Sequence, residues 1–90
     1  MYRNFKDPQY AAWRKNVYKR DKFKCQWPNC NLKKKLNAHH IKNWADFPGL
    51  RFVVDNGITL CKYHHDLIKG QEESYASTFM RILSNNKHAQ

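Results

Sequence analysis

Cys25 and Cys30 stand five positions apart, and thirty-one residues after Cys30 come Cys61 and then His64. No other feature restricts the folding of this 90-residue chain as strongly. A chain so short buries a smaller fraction of its surface than a large domain does, and small domains are commonly stapled. Three cysteines cannot pair off completely, and the opening Met1-Tyr2-Arg3-Asn4-Phe5-Lys6 is too polar for a secretory signal. The expectation is a reducing, cytoplasmic compartment, in which grouped cysteine and histidine act as metal ligands rather than disulfides. Two short pairs of thiolate and imidazole donors match a closed tetrahedral zinc site. Each pair would bite the ion from a turn or a helix start, tying together segments more than thirty residues apart. The plainer alternative is three buried apolar cysteines and a surface histidine. The four-residue spacer between Cys25 and Cys30 is wider than the commonest two.

Around these pairs the pattern predicts a small α+β domain. Asp7-Pro8 is a helix start, a capping side chain followed by proline at the first helical position. Tyr10, Trp13 and Val17 then recur at helical spacing, so a first helix is expected over about residues 8–20. The Pro and Asn of Cys25-Gln26-Trp27-Pro28-Asn29-Cys30 mark a tight turn. Leu36 to Ile41 reads as a short strand, residues 42–55 as a long loop with turn chemistry at Asp46 and Pro48-Gly49, and Ile58 to Leu60 as a second strand. Cys61 leads into a helix through Leu67 and Ile68 that Gly70 can end. Glu72 and Glu73 suit the first turn of a last helix with Tyr75, Phe79, Ile82 and Leu83 on its apolar face, and residues from Asn85 on, His88 included, are expected to fray. No repeat or linker divides the chain, so residues 1–90 are expected to form one domain, and no stretch is apolar enough to span a membrane.

Seventeen Lys and Arg against seven Asp and Glu leave a formal charge of +10, which points to a polyanionic partner: nucleic acid first, an anionic membrane surface second. Arg14, Lys19, Arg20, Lys33, Lys34, Lys35 and Lys69 are the candidate phosphate contacts. Charge alone does not distinguish such contacts from a solvated surface.

With His64 assigned to the zinc site, His39, His40 and His65 remain, all in or beside the strand–loop–strand–helix segment. Ala38-His39-His40-Ile41, then Asn56, then Leu60-Cys61-Lys62-Tyr63-His64-His65 resembles the motif of the HNH endonuclease family, whose fold is a ββα-metal finger. Asn56 falls sixteen residues after His40, and His65 nine after Asn56. Trp13, Val17, Arg20-Asp21 and Cys25 resemble the lead-in of zinc-stapled members, so the likeness covers about residues 13–69, and small free-standing bacteriophage endonucleases are the nearest kind.

The resemblance implies a ββα-metal finger with flanking N- and C-terminal helices and a structural zinc. It also implies roles: His40 as general base, His39 and His65 as ligands of a catalytic divalent ion, Mg²⁺ foremost, and Asn56 as the brace that orients His40. Some members carry a further histidine one helical turn after the position of His65, where this chain has Lys69. Phosphate oxygens and water would then complete the coordination, an arrangement that suits Mg²⁺. On a regular strand His39 and His40 face opposite sides, so the strand must end or distort if both serve one site. The expected activity is hydrolysis of DNA phosphodiester bonds, leaving 5′-phosphate and 3′-hydroxyl ends, with duplex DNA gripped through its backbone and little sequence reading. If phage-encoded, the protein would act in the bacterial host cytoplasm. The rivals are a zinc-stapled DNA-binding module without catalysis, an RNA-directed nuclease, and an accessory subunit of a phage packaging machine. The binding module leaves His39, His40, Asn56 and His65 without a purpose.

Overall fold

Asp7 caps the first helix from extended backbone, its Oδ1 accepting from the Gln9 N–H at 2.8 Å, and Pro8 begins the helix proper. In the computed structural model, which describes residues 6–88 apart from the His88 side chain, this helix (α1) spans Pro8–Arg20. The polar opening segment over residues 1–5 and the last two residues lie outside the described residues. Tyr10, Trp13, Val17 and Tyr18 form the buried face of α1. The helix stops at Asp21, after which Lys22 and Phe23 take positive φ (58° and 55°) and reverse the chain.

Strands β1 (Leu36–His40) and β2 (Gly57–Cys61) pair antiparallel, with Leu36 opposite Cys61 and His40 opposite Gly57. Helix α2 (Lys62–Leu67) follows β2 directly, and Gly70, at φ +84°, turns the chain toward α3 (Glu72–His88). The described residues thus form a small α+β fold with a two-stranded sheet and three α-helices, in the order α1-β1-β2-α2-α3. None of those helices is long and apolar enough to cross a membrane.

Helix α3 runs further than its sequence suggests. Fraying is expected from Asn85, but the helix continues to His88, because Ile82 and Leu83 pack against the core and Asn86 Nδ2 donates to Gln26 Oε1 at 2.8 Å.

The sheet lies between two apolar clusters. On one face Tyr10, Trp13 and Val17 of α1 meet Ala38, Trp44, Phe52 and Val54. On the other, Ile58 and Leu60 pack with Ile68, Ala76 and Phe79 from the C-terminal helices, beside Cys25 and Cys61. Gly57 marks the closest approach of α1 to the sheet. A Cβ there would lie 2.5 Å from Val17 Cγ2 and 2.7 Å from Trp13 Cζ2, so only glycine fits.

The connection between the strands, residues 41–56, is more ordered than the plain loop expected over 42–55. It contains two 3₁₀ turns, Pro48–Leu50 and Val54–Asn56, and is strapped to α1. Trp13 Nε1 donates to Val53 O at 2.8 Å, and Arg20 donates to Val54 O at 2.8 Å and Gly57 O at 2.6 Å. The same guanidinium pairs bidentately with Asp21, whose Oδ2 also accepts from the Thr59 N–H at 2.9 Å. This corrects the expectation that Arg20 grips phosphate. Its side chain is committed inward, fastening α1 to β2 and the loop.

Candidate functional site

The Cys25–Cys30 segment is a knuckle built by local hydrogen bonds. Asn29 takes a positive φ of 67°, the Cys30 N–H reaches Trp27 O at 2.9 Å, and the Gln26 N–H ties the turn to β2 through Thr59 O at 2.9 Å. Cys61 ends β2 and His64 lies one turn into α2. The ligand atoms of Cys25, Cys30, Cys61 and His64 all lie within 4.8 Å of one another, an arrangement that can hold a metal ion. His64 Nδ1 faces the sulfurs, 3.3 Å from Cys61 Sγ and 3.7 Å from Cys25 Sγ. Trp27 stacks on the His64 ring at 4.5 Å and 10°, which fixes the imidazole's direction. Burial pushes the Cys25 thiol up to about 12. At Cys61 burial also acts to raise the value, but hydrogen bonds from the His64 backbone and the neighbouring thiols outweigh it and the thiol is lowered. Metal ligation requires thiolates, and a cation among these sulfurs would favour the ionised form of each.

The remaining histidines gather around a separate cleft of about 810 Å³, lined by Tyr10, Arg14, His39, His40, Lys42, Phe47, His65 and the start of α3, among others. His39 and His40 do face opposite sides of the sheet. His39 opposes Ile58 and packs edge-on to Phe79 (5.6 Å), whereas His40 opposes Gly57 and stacks on Trp13 of α1 at 3.9 Å and 10°. Both still line one cleft, because β1 ends at His40. From α2, His65 brings its ring to 5.6 Å from that of His39. Burial first, and the Lys69 ammonium second, hold His65 below the ordinary histidine value.

His40 Nε2 lies 2.9 Å from Arg51 O. A carbonyl oxygen only accepts, so Nε2 carries the proton and the lone pair of the neutral ring belongs to Nδ1. Asn56, almost fully buried, locks the two ends of the loop: Oδ1 accepts from the Lys42 N–H at 2.8 Å, and Nδ2 donates to Lys42 O at 3.1 Å and Leu50 O at 3.2 Å. Leu50 is the neighbour of Arg51, so Asn56 holds the segment that supplies the carbonyl to His40.

Of the basic candidates, Arg14, Lys19, Lys33, Lys34, Lys35 and Lys69 are exposed. Arg14 lines the cleft and rests over the Tyr18 ring at 5.0 Å. Lys69 pairs with Asp66 at 3.1 Å and, with Lys35 and Lys62, borders a shallower depression beside His65.

Two contributors carry no motif signal: the Arg51 carbonyl that His40 meets, and Trp27 as the stacking partner of His64. Trp13 reads correctly as core, but nothing local announces which ring it covers. Comparison of the chain with protein-family models, with curated proteins and with solved structures finds no match.

Proposed function

We propose that this protein is a metal-dependent endonuclease of the HNH type, a ββα-metal finger stapled by structural zinc that hydrolyses DNA phosphodiester bonds. The observation that carries this reading is the convergence of His39, His40 and His65 on one cleft, apart from the Cys25, Cys30, Cys61 and His64 cluster. Three thiols and an imidazole form a donor set suited to zinc. His39 and His65, with rings 5.6 Å apart, would hold a second divalent ion, Mg²⁺ foremost. When bound, that ion supplies charge neutralisation at the phosphate and at the leaving 3′ oxygen.

The chain's own residues account for the proton transfer. His40 Nε2–H is anchored on Arg51 O, so Nδ1 is the atom that accepts a proton from the attacking water. The water oxygen bonds to phosphorus as the bond to the 3′ oxygen breaks, and the leaving 3′ oxygen takes a proton from solvent water, giving a 5′-phosphate and a 3′-hydroxyl. Trp13 and Arg51 hold the imidazole plane, and Asn56 acts through the loop rather than on substrate. Arg14 at the cleft and the exposed lysines at 33–35 supply backbone contacts to DNA.

Single-turnover cleavage by three variants tests these roles. His40→Ala should lose roughly 10²- to 10⁴-fold in rate, with no recovery at raised Mg²⁺. His39→Ala and His65→Ala should recover in part as Mg²⁺ is raised, because each loses a ligand rather than the base. Since His40 is buried against Trp13, His40→Ala should also lose about 1–3 kcal/mol of stability, so rates are compared well below its melting transition. Full activity in folded His40→Ala would remove the general base from this account.

A further inference from the structure

Seven large apolar side chains are exposed among the described residues, and of these Phe47 is the one that lines the histidine cleft. A single exposed apolar residue is ordinary on a protein surface. Phe47 differs in its setting. The residue is 41% exposed, and the turn that presents it is closed by side-chain hydrogen bonds. Asn43 Nδ2 donates to Asp46 Oδ2 at 3.0 Å, the Asp46 N–H donates back to Asn43 Oδ1 at 2.8 Å, and Pro48 opens a 3₁₀ turn immediately after. The Lys42 ammonium lies 5.7 Å from the ring centroid, and Arg14 lines the same cleft. Glu72 and Glu73 also line it, from the start of α3, so a phosphate entering the cleft is drawn away from them toward the cations Arg14 and Lys42, of which Lys42 stands beside Phe47.

An exposed aromatic ring on a hydrogen-bonded turn, with a cation beside it and lining a cleft proposed to take a phosphodiester, is an arrangement by which proteins stack nucleobases. A base within an intact duplex shows only its edges in the grooves, because its faces are covered by its neighbours; an unpaired base offers a free face. We propose that Phe47 is a stacking platform for an unpaired nucleobase next to the scissile phosphate, with Lys42 on the adjoining phosphate. The preferred substrate is then DNA carrying an accessible base, such as a single strand, a gap or a mismatched site, rather than uninterrupted duplex. This inference rests on the nuclease reading and adds a substrate class to it.

Binding of full-length protein to three DNA probes tests it: a single strand, the matched duplex, and the same duplex with one mismatch, with Ca²⁺ in place of Mg²⁺ to hold back cleavage. Phe47→Ala should weaken single-strand binding roughly 5- to 140-fold, the worth of one stacked base, and leave matched-duplex binding little changed. Phe47→Tyr, which keeps the ring, should restore single-strand affinity, and the mismatched duplex should respond as the single strand does. Unchanged single-strand binding in Phe47→Ala would overturn the platform while leaving the nuclease reading intact. So would an equal loss on matched duplex, which would make Phe47 a wedge between paired bases. Wild-type protein that binds none of the three probes would overturn both.

Discussion

His65 links the environment of one side chain to a measurable pH dependence. Burial, and after it the Lys69 ammonium, disfavours its protonated form, with Asp66 and Glu72 acting in the opposite sense. The unfolded chain therefore takes up a proton at His65 more readily than the folded protein does. Stability rises with pH across that interval. The contribution is complete above about pH 6.5, the ordinary histidine value, and is lost as pH falls through the lower folded-state value. Burial lowers His64 as well, so the same sign holds there. Melting curves of wild type and His65→Gln between neutral and mildly acidic pH should show the wild type losing stability on acidification more steeply than the variant. Parallel curves would contradict the environment described for His65. The same depression keeps the imidazole neutral, and so able to ligate, at pH values where a free histidine is protonated.

At the scale of elements, two close contacts carry most of the architecture. Gly57 is where α1 meets the sheet, and a methyl group there would press on Val17 and Trp13. Gly57→Ala should cost about 1–3 kcal/mol by overpacking, read as a lowered denaturant midpoint with an unchanged slope. A neutral result would mean that α1 does not sit as described. The Cys/His cluster joins the knuckle at residues 25–30, the end of β2 and α2. At six residues, α2 is too short to be stable by itself. Cys61→Ser should abolish tight retention of about one zinc per chain after dialysis and lower the melting temperature of the whole domain. Metal content and melting identical to wild type would remove zinc from the account.

These elements also show what a sequence discloses and what it withholds. Asp7-Pro8 with Tyr10, Trp13 and Val17 predicts a helix over about residues 8–20, and α1 spans Pro8–Arg20, because capping and helical spacing are local. The two donor pairs are legible for the same reason. Arg20 reads as a phosphate contact and turns out to be a clamp, because its partners Val54 O and Gly57 O lie 34 and 37 residues away. The final turns of α3 depend on Asn86 meeting Gln26 across sixty residues, which no pattern within the helix records. His39 and His40 share a cleft through where β1 stops, and the alternation of side chains along a strand does not supply that.

Taken as a whole molecule, the chain combines a +10 charge, a Cys/His cluster that can hold an ion, and a second, histidine-lined cleft. A binding module would need the first two. The third is what the proposed enzyme requires in addition, so the decisive observation is turnover rather than affinity. Purified zinc-loaded protein incubated with supercoiled plasmid, with and without Mg²⁺, tests this most directly, with His40→Ala run alongside. The account predicts Mg²⁺-dependent conversion of supercoiled plasmid to nicked or linear forms by wild type, and little or none by His40→Ala. A folded wild-type protein that binds the plasmid yet leaves it supercoiled across a range of divalent ions would contradict it.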